Sequence, residues 1–180
     1  MRLARKMKNI ILFVGLSAAV AFSTVFAAET KHSGNGKATA KEAAFIKQAA
    51  DGGMAEVELG KIAEKNGQRD DVKKFGEQMV TDHGKANDNL KSVASQLGVT
   101  VPDQVSSKHQ SKIDLLSKQT GDAFDSAYIK DMVADHQKDI AEFEKARSQV
   151  TNEDLKKFID DTVPVMKHHL EMVKAMKQTK

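Results

Sequence analysis

The chain has 180 residues, with 28 basic and 25 acidic side chains, no cysteine and no tryptophan. Four of the basic residues and none of the acidic ones fall within the first 27, so the remainder carries 24 against 25 and is close to neutral. That balance excludes a polybasic surface for nucleic acid or an anionic membrane. The lack of cysteine excludes disulfide staples and a cysteine-linked lipid anchor.

Residues 1–27 read as a secretory signal peptide. Arg2, Arg5, Lys6 and Lys8 make a basic start, an apolar run extends from Ile10 to Phe22, and Val25-Phe26-Ala27 supplies small residues for cleavage. The run is short for a membrane span. The expected location is therefore export, to the periplasm in the first instance, with no transmembrane segment after cleavage. Residues 28–40 are small and polar and read as a flexible leader, with His32 in solvent. Residues 41–178 then form one domain.

Helical periodicity predicts a first long helix from Lys41 to Asn66, with Phe45, Ala49, Gly52, Glu56, Leu59 and Ala63 on its inner stripe. Gly52, Gly53 and Gly60 weaken it intrinsically; they either admit a neighbouring helix closely or, at Gly52-Gly53, break the element. A second helix is predicted from Asp70 to Leu97, with Phe75, Met79, Ala86 and Leu90 inward and Gly98 and Pro102 closing it. A connection follows, with room for a short helix over Ser107–Lys118. A third long helix runs from Asp122, read as its N-cap, to Ser148, with Tyr128, Met132, His136, Ile140 and Phe143 inward. The fourth runs from Asn152 to Lys177, with Leu155, Phe158, Thr162, Val165, His169, Val173 and Met176 aligned, and Pro164 kinks it ahead of the histidines. No stretch reads as a strand. Four such helices bury their stripes as an up-and-down four-helix bundle, with a short extra helix between the second and third.

The phrase Met-Val-x-Asp-His occurs twice, at Met79-Val80-Thr81-Asp82-His83 and at Met132-Val133-Ala134-Asp135-His136. It suggests that the two helical hairpins are related by duplication. It also puts a methionine and a histidine on one face of each helix. Each long helix thus carries an ionisable group on its apolar stripe: Glu56, His83, His136 and His169. Counting residues from the shared turns at a rise of about 1.5 Å each places them within about a turn of one height.

Two readings of that layer follow. In one, Glu56, His83, His136 and His169 ligate a transition metal (Zn, Fe, Mn or Cu), with Asp82 and Asp135 behind the histidines as orienting carboxylates. In the other, they form a buried hydrogen-bond network with no metal. The methionine–histidine pairs suit Cu(I), but methionine is also an ordinary filler of bundle cores, which ranks copper below a harder metal or none. His109 and His168 are expected in solvent. No phosphate loop and no serine or cysteine nucleophile motif is present, so no catalytic residue is assigned.

The stretches Phe45–Gly60, Lys73–His83, Phe124–Tyr128 and Pro164–Leu170 resemble a bacterial family of exported proteins. Its members are often labelled outer membrane proteins or domains of unknown function. The resemblance spans about Phe45 to Met176 and implies a ferritin-like fold with no established reaction. The chain has no alternating strands for a membrane barrel. Ferritin-like di-iron sites use Glu-x-x-His pairs, whereas Val80, Val133 and Met166 stand three residues before His83, His136 and His169. That departure argues against di-iron chemistry. The leading reading, drawn from the inward Glu56, His83, His136 and His169, is a non-enzymatic exported bundle that binds a transition metal or serves an envelope or stress role through its surface; the alternative is a structural or interaction module. The resemblance leaves the protein partner unidentified and a homo-oligomer open.

Overall fold

A computed structural model describes residues 36–178, which form α1 (Ala40–Asn66), α2 (Asp70–Gln96), α3 (Ser107–Ser117), α4 (Gly121–Arg147) and α5 (Glu153–Gln178). The signal-peptide segment, His32 and most of the leader lie outside the described residues. No strand occurs among the described residues, and no helix among them is long and apolar enough to cross a membrane.

The helix ends follow local chemistry. Thr39 caps α1 in a reciprocal box: its hydroxyl accepts from Glu42 N while the Glu42 carboxylate accepts from Thr39 N. Ala38 N donates to Leu97 O at 3.1 Å, so the chain is tied to the end of α2 before α1 begins. Gly98, at φ 68°, follows α2 in the left-handed region that glycine tolerates. Asn152 Oδ1 accepts from Leu155 N and caps α5. Asp122 lies in the first turn of α4 rather than at its cap, which is Thr120.

Hydrogen bonds between elements fix the topology. The end of α2 meets the start of α1 through Ala38 and Leu97, whereas Asn66 at the end of α1 donates to Ser117 O and Gln119 O just before α4. The connection from α2 to α4 therefore crosses the full length of the bundle. In it, α3 lies along α1, held at its start by Ser106 N on Asp51 Oδ1 at 2.6 Å. The four long helices run up, down, down and up in chain order, the single-crossover arrangement of ferritin-like bundles.

Two buried carboxylates lock the hairpins to one another. Glu42, in the first turn of α1, accepts from Thr151 N and Asn152 N in the α4–α5 turn, at 2.9 and 3.0 Å. Asp125, in the first turns of α4, accepts from Gln68 N and Arg69 N in the α1–α2 turn, at 2.9 Å each. The two clamps pair α1 with α4, the first helices of the two hairpins, whereas the repeated phrase pairs α2 with α4 and so does not map one hairpin onto the other.

Burial alone pushes the Glu42 carboxyl up, but the backbone N–H groups of Thr39, Asn152 and Thr151 outweigh it and hold the value at about 2. A depressed carboxyl contributes stability that is present above the unfolded value and lost as pH falls through the folded one. Full conversion of the shift would be about 3 kcal/mol; screening near the bundle end reduces this to about 2 kcal/mol. Glu42→Gln is thus expected to lose about 2 kcal/mol at pH 7, with the gap to the parent closing between pH 4.5 and 2 in denaturant titrations.

α1 and α2 pack backbone to backbone where Gly60 faces Gly76. A Cβ on Gly76 would lie 2.7 Å from Gly60 O and 2.8 Å from Ala63 Cβ. The glycines of α1 therefore admit a neighbour, and α1 is unbroken through Gly52-Gly53. Gly76→Ala is expected to cost about 1–3 kcal/mol in chemical denaturation, although alanine is the better helix former. An unchanged or raised midpoint would show a looser crossing.

The stripes are largely as expected, with three differences. In the first half of α1 the core face is Ile46, Ala50 and Gly53, with Phe45, Ala49 and Gly52 half-buried. In α5, Met166 is buried and Val165 exposed. His168 is exposed, but His109 is half-buried, with Nδ1 3.1 Å from Asp51 Oδ2.

Candidate metal centre

The apolar core falls into two clusters. One contains Leu59, Phe75, Tyr128, Met132 and Val173; the other contains Ile46, Leu90, Ile140, Leu155 and Met166. On α2, α4 and α5 the change from one cluster to the other occurs at the ionisable position, and on α1 it falls between Ala50 and Ala55, just before Glu56. Glu56, His83, His136 and His169 are 5%, 5%, 0% and 0% exposed, so the layer is sealed inside the bundle. Met79 and Met132 lie one turn away in the first cluster as ordinary core residues.

The three imidazoles form a triangle, with ring centroids 5.7 Å (His83–His136), 5.2 Å (His83–His169) and 5.5 Å (His136–His169) apart. One ring nitrogen from each lies within 4.8 Å of the others. His136 Nδ1 sits 3.0 Å from Met132 O. A carbonyl only accepts, so Nδ1 carries the hydrogen and Nε2 a lone pair. His169 Nε2 donates to Asp82 Oδ2 at 2.9 Å, which leaves the lone pair on Nδ1. Those two lone-pair atoms, His136 Nε2 and His169 Nδ1, face each other at 3.4 Å. His83 Nδ1 contacts Glu56 Oε2 at 2.9 Å, and His83 Nε2 is buried with no hydrogen-bond partner.

Burial lowers the basicity of His136, and lowers that of His169 to about 4 against the opposing pull of Asp82; both rings are neutral at pH 7. Burial acts in the same direction on His83, but the Glu56 carboxylate outweighs it and raises the value. Glu56 is held at about 2: burial raises it, and the charge and hydrogen bond of His83 win. Asp82 is depressed as well, burial being overcome by Gln78 and His169. The site is an ion pair, Glu56 with His83, beside two neutral imidazoles whose lone pairs converge. Below the raised value of His83 a cation has to displace its Nε2 proton.

All four expected residues come together, but with different partners from those the chain order suggests. Asp82 orients His169, 87 residues away, and not its neighbour His83. Asp135 turns to Lys112 Nζ at 2.6 Å and does not orient a histidine, because Lys112 of α3 draws it and Asp131 to itself. Glu56 stands at Nδ1 of His83, with its Oε1 3.7 Å from His136 Nδ1 and without a hydrogen-bond partner. The Tyr128 hydroxyl is likewise buried and unpartnered, and burial together with the charge of Glu56 raises its pKa. Its place on the His136 stripe was legible, but its hydroxyl carried no separate signal.

The chain belongs to the family described as "Domain of unknown function (DUF4142)", whose model matches residues 27–176. No curated protein matches the chain at a significant level. Among solved structures it is similar to a DUF305 fragment from Deinococcus radiodurans, with 11% identity, a TM-score of 0.69 and coverage of 78% of this chain and 97% of that one. It is also similar to CopM in the Cu(I)-bound form, with 17% identity, a TM-score of 0.65 and coverage of 76% and 94%. CopM in the Cu(II)-bound form gives 17%, 0.65, and coverage of 79% and 97%. At these identities the likeness establishes the helical-bundle fold.

Proposed function

We propose that the protein is an exported helical bundle that binds one transition-metal ion through His83, His136 and His169. The observation that carries this is the pair of converging lone pairs on His136 Nε2 and His169 Nδ1, 3.4 Å apart, in a cluster where His83 brings a third ring nitrogen within 4.8 Å. Lone pairs buried face to face repel unless a cation lies between them. Two nitrogens bound tetrahedrally to one ion at about 2.0–2.1 Å are about 3.4 Å apart. Each ring's other nitrogen is engaged by a carboxylate or a carbonyl (Glu56, Met132 O, Asp82), which is how proteins orient histidine ligands.

On this reading Glu56 and Asp82 orient the ligands and supply negative charge, and Glu56 enters the coordination sphere only if its unpartnered Oε1 turns inward. Copper is the first ion to test. Imidazole suits it, it heads the divalent affinity order, and a fold relative, CopM, is described in Cu(I)- and Cu(II)-bound forms. Zinc, iron and manganese remain in the comparison set. Export rests on residues 1–27 alone.

The test is elemental analysis of untagged mature protein, with His136→Ala alongside. One equivalent of metal in the parent and none in the variant supports the reading. No metal in the parent, even after loading, contradicts it and favours the second reading, a metal-free network built on the Glu56–His83 ion pair at 2.9 Å.

A further inference from the structure

A cavity reaches from the surface toward the buried histidine layer. It has a volume of about 80 Å³ and lies between α1 and α4 beneath α3, and its lining passes from exposed Lys108 and Lys138 to buried Glu56 and His83. That volume holds several waters, enough for a partly hydrated cation. Two of its lining residues carry polar atoms buried without hydrogen-bond partners, Glu56 Oε1 and His83 Nε2.

One wall is the bare backbone of α1 at Gly52-Gly53. A Cβ on Gly52 would meet Asp139 Oδ2 at 3.9 Å and nothing closer. Asp139 forms the facing wall from α4, with Lys138 Nζ 3.1 Å from its Oδ1 and 3.0 Å from Glu142 Oε2. Burial, and then the charge of Glu56, push the Asp139 carboxyl up to about 6. It therefore senses the negative charge at the inner end of the cavity.

The layer is closed in three further directions. The apolar clusters close the layer above and below. On the α2–α5 side the half-buried Asp82 is bonded to His169 Nε2, so an ion arriving there meets a ring edge that carries a hydrogen and not a lone pair. Gly53 is explained by packing, since a Cβ there would collide with Asn87 Oδ1 of α2, but Gly52 is not: a side chain at 52 would meet only the distant Asp139 oxygen.

We propose that the α1–α4 cleft at Gly52 is the port through which the ion of the three-histidine site enters and leaves, with the half-buried Asp139 as a carboxylate on its path. This rests on the metal-binding reading above. A port changes exchange rates without changing the bound state. Gly52→Leu fills the cleft from a helix position where leucine is the better helix former. It is expected to slow copper loading and chelator-driven removal by the same factor, about tenfold or more, at unchanged equilibrium affinity. Asp139→Asn is expected to slow loading about three- to tenfold and to flatten its dependence on salt. Gly84→Leu on α2, where a Cβ meets nothing within 4 Å, serves as the control and should exchange at the parental rate.

Stopped-flow loading of the full mature chain, with circular dichroism of each variant, decides the matter. Parallel slowing of loading and removal in Gly52→Leu supports the port. A parent that binds copper together with a folded Gly52→Leu variant that exchanges at the parental rate overturns the port and leaves the metal site standing. A parent that binds no metal removes both. Should Gly52→Leu not fold, Asp139→Asn decides: an unchanged loading rate overturns the port.

Discussion

Glu56→Ala is expected to destabilise the metal-free protein by about 3 kcal/mol at pH 6, the largest effect of any single substitution in the layer. The variant removes the carboxylate that holds His83 at 2.9 Å and opens a hole in a residue shell only 5% exposed. His83 then sheds its proton rather than remain an unpaired buried cation, which bounds the loss. Glu56→Gln, which keeps the volume and loses the charge, is expected to cost roughly half as much.

The two signs give this effect a pH window. Glu56 is depressed to about 2, so its contribution is present above about 4.5 and is lost as pH falls toward 2. His83 is raised, so its contribution is complete below about 6.5 and is lost as pH rises through the folded value. The penalty of Glu56→Ala should therefore be greatest between about pH 4.5 and 6.5 and shrink on both sides. A penalty independent of pH would show that packing, and not the ion pair, is at stake.

Copper loading is the second large effect. At a free ion concentration a hundred times the dissociation constant, a ligand that binds only the folded state adds about 2.7 kcal/mol. In a domain of this size that raises the melting temperature by roughly 5–10 °C. His136→Ala and His169→Ala should abolish the rise. Asp82→Ala and Glu56→Ala should keep it at about 10- to 100-fold higher metal, because they loosen a ligand without removing one. If Glu56→Ala were as damaging to binding as His136→Ala, Glu56 would itself be a ligand.

The sequence and the structure agree where local chemistry decides. Helix ends at Asn66, Gly98 and Asn152 follow from glycines and caps, and the four ionisable groups share one layer because residue counts from the turns determine height. The first stripe of α1 was displaced by one residue because Gly52 and Gly53 offer no side chain, so Phe45-Ala49 and Ile46-Ala50 satisfy the periodicity equally well. Val165 and Met166 present the same ambiguity as adjacent apolar residues. The partners of the rings were not legible. Asp82 and Asp135 occupy matching places in the repeated phrase, yet one binds His169 and the other Lys112. That choice depends on the neighbouring helix, α5 for the first and α3 for the second. The clamps of Glu42 and Asp125 were not legible: an acidic residue in a first turn, such as Glu42, is expected from the helix dipole alone, and the donors of both lie more than fifty residues away.

X-ray absorption at the copper edge, on mature protein loaded with one equivalent, tests the central claim most directly. The account predicts three nitrogen neighbours at about 2 Å with the outer-shell scattering of imidazole rings, and loss of that pattern in His136→Ala. A shell of oxygen neighbours without imidazole scattering, or a spectrum unchanged by His136→Ala, would contradict it.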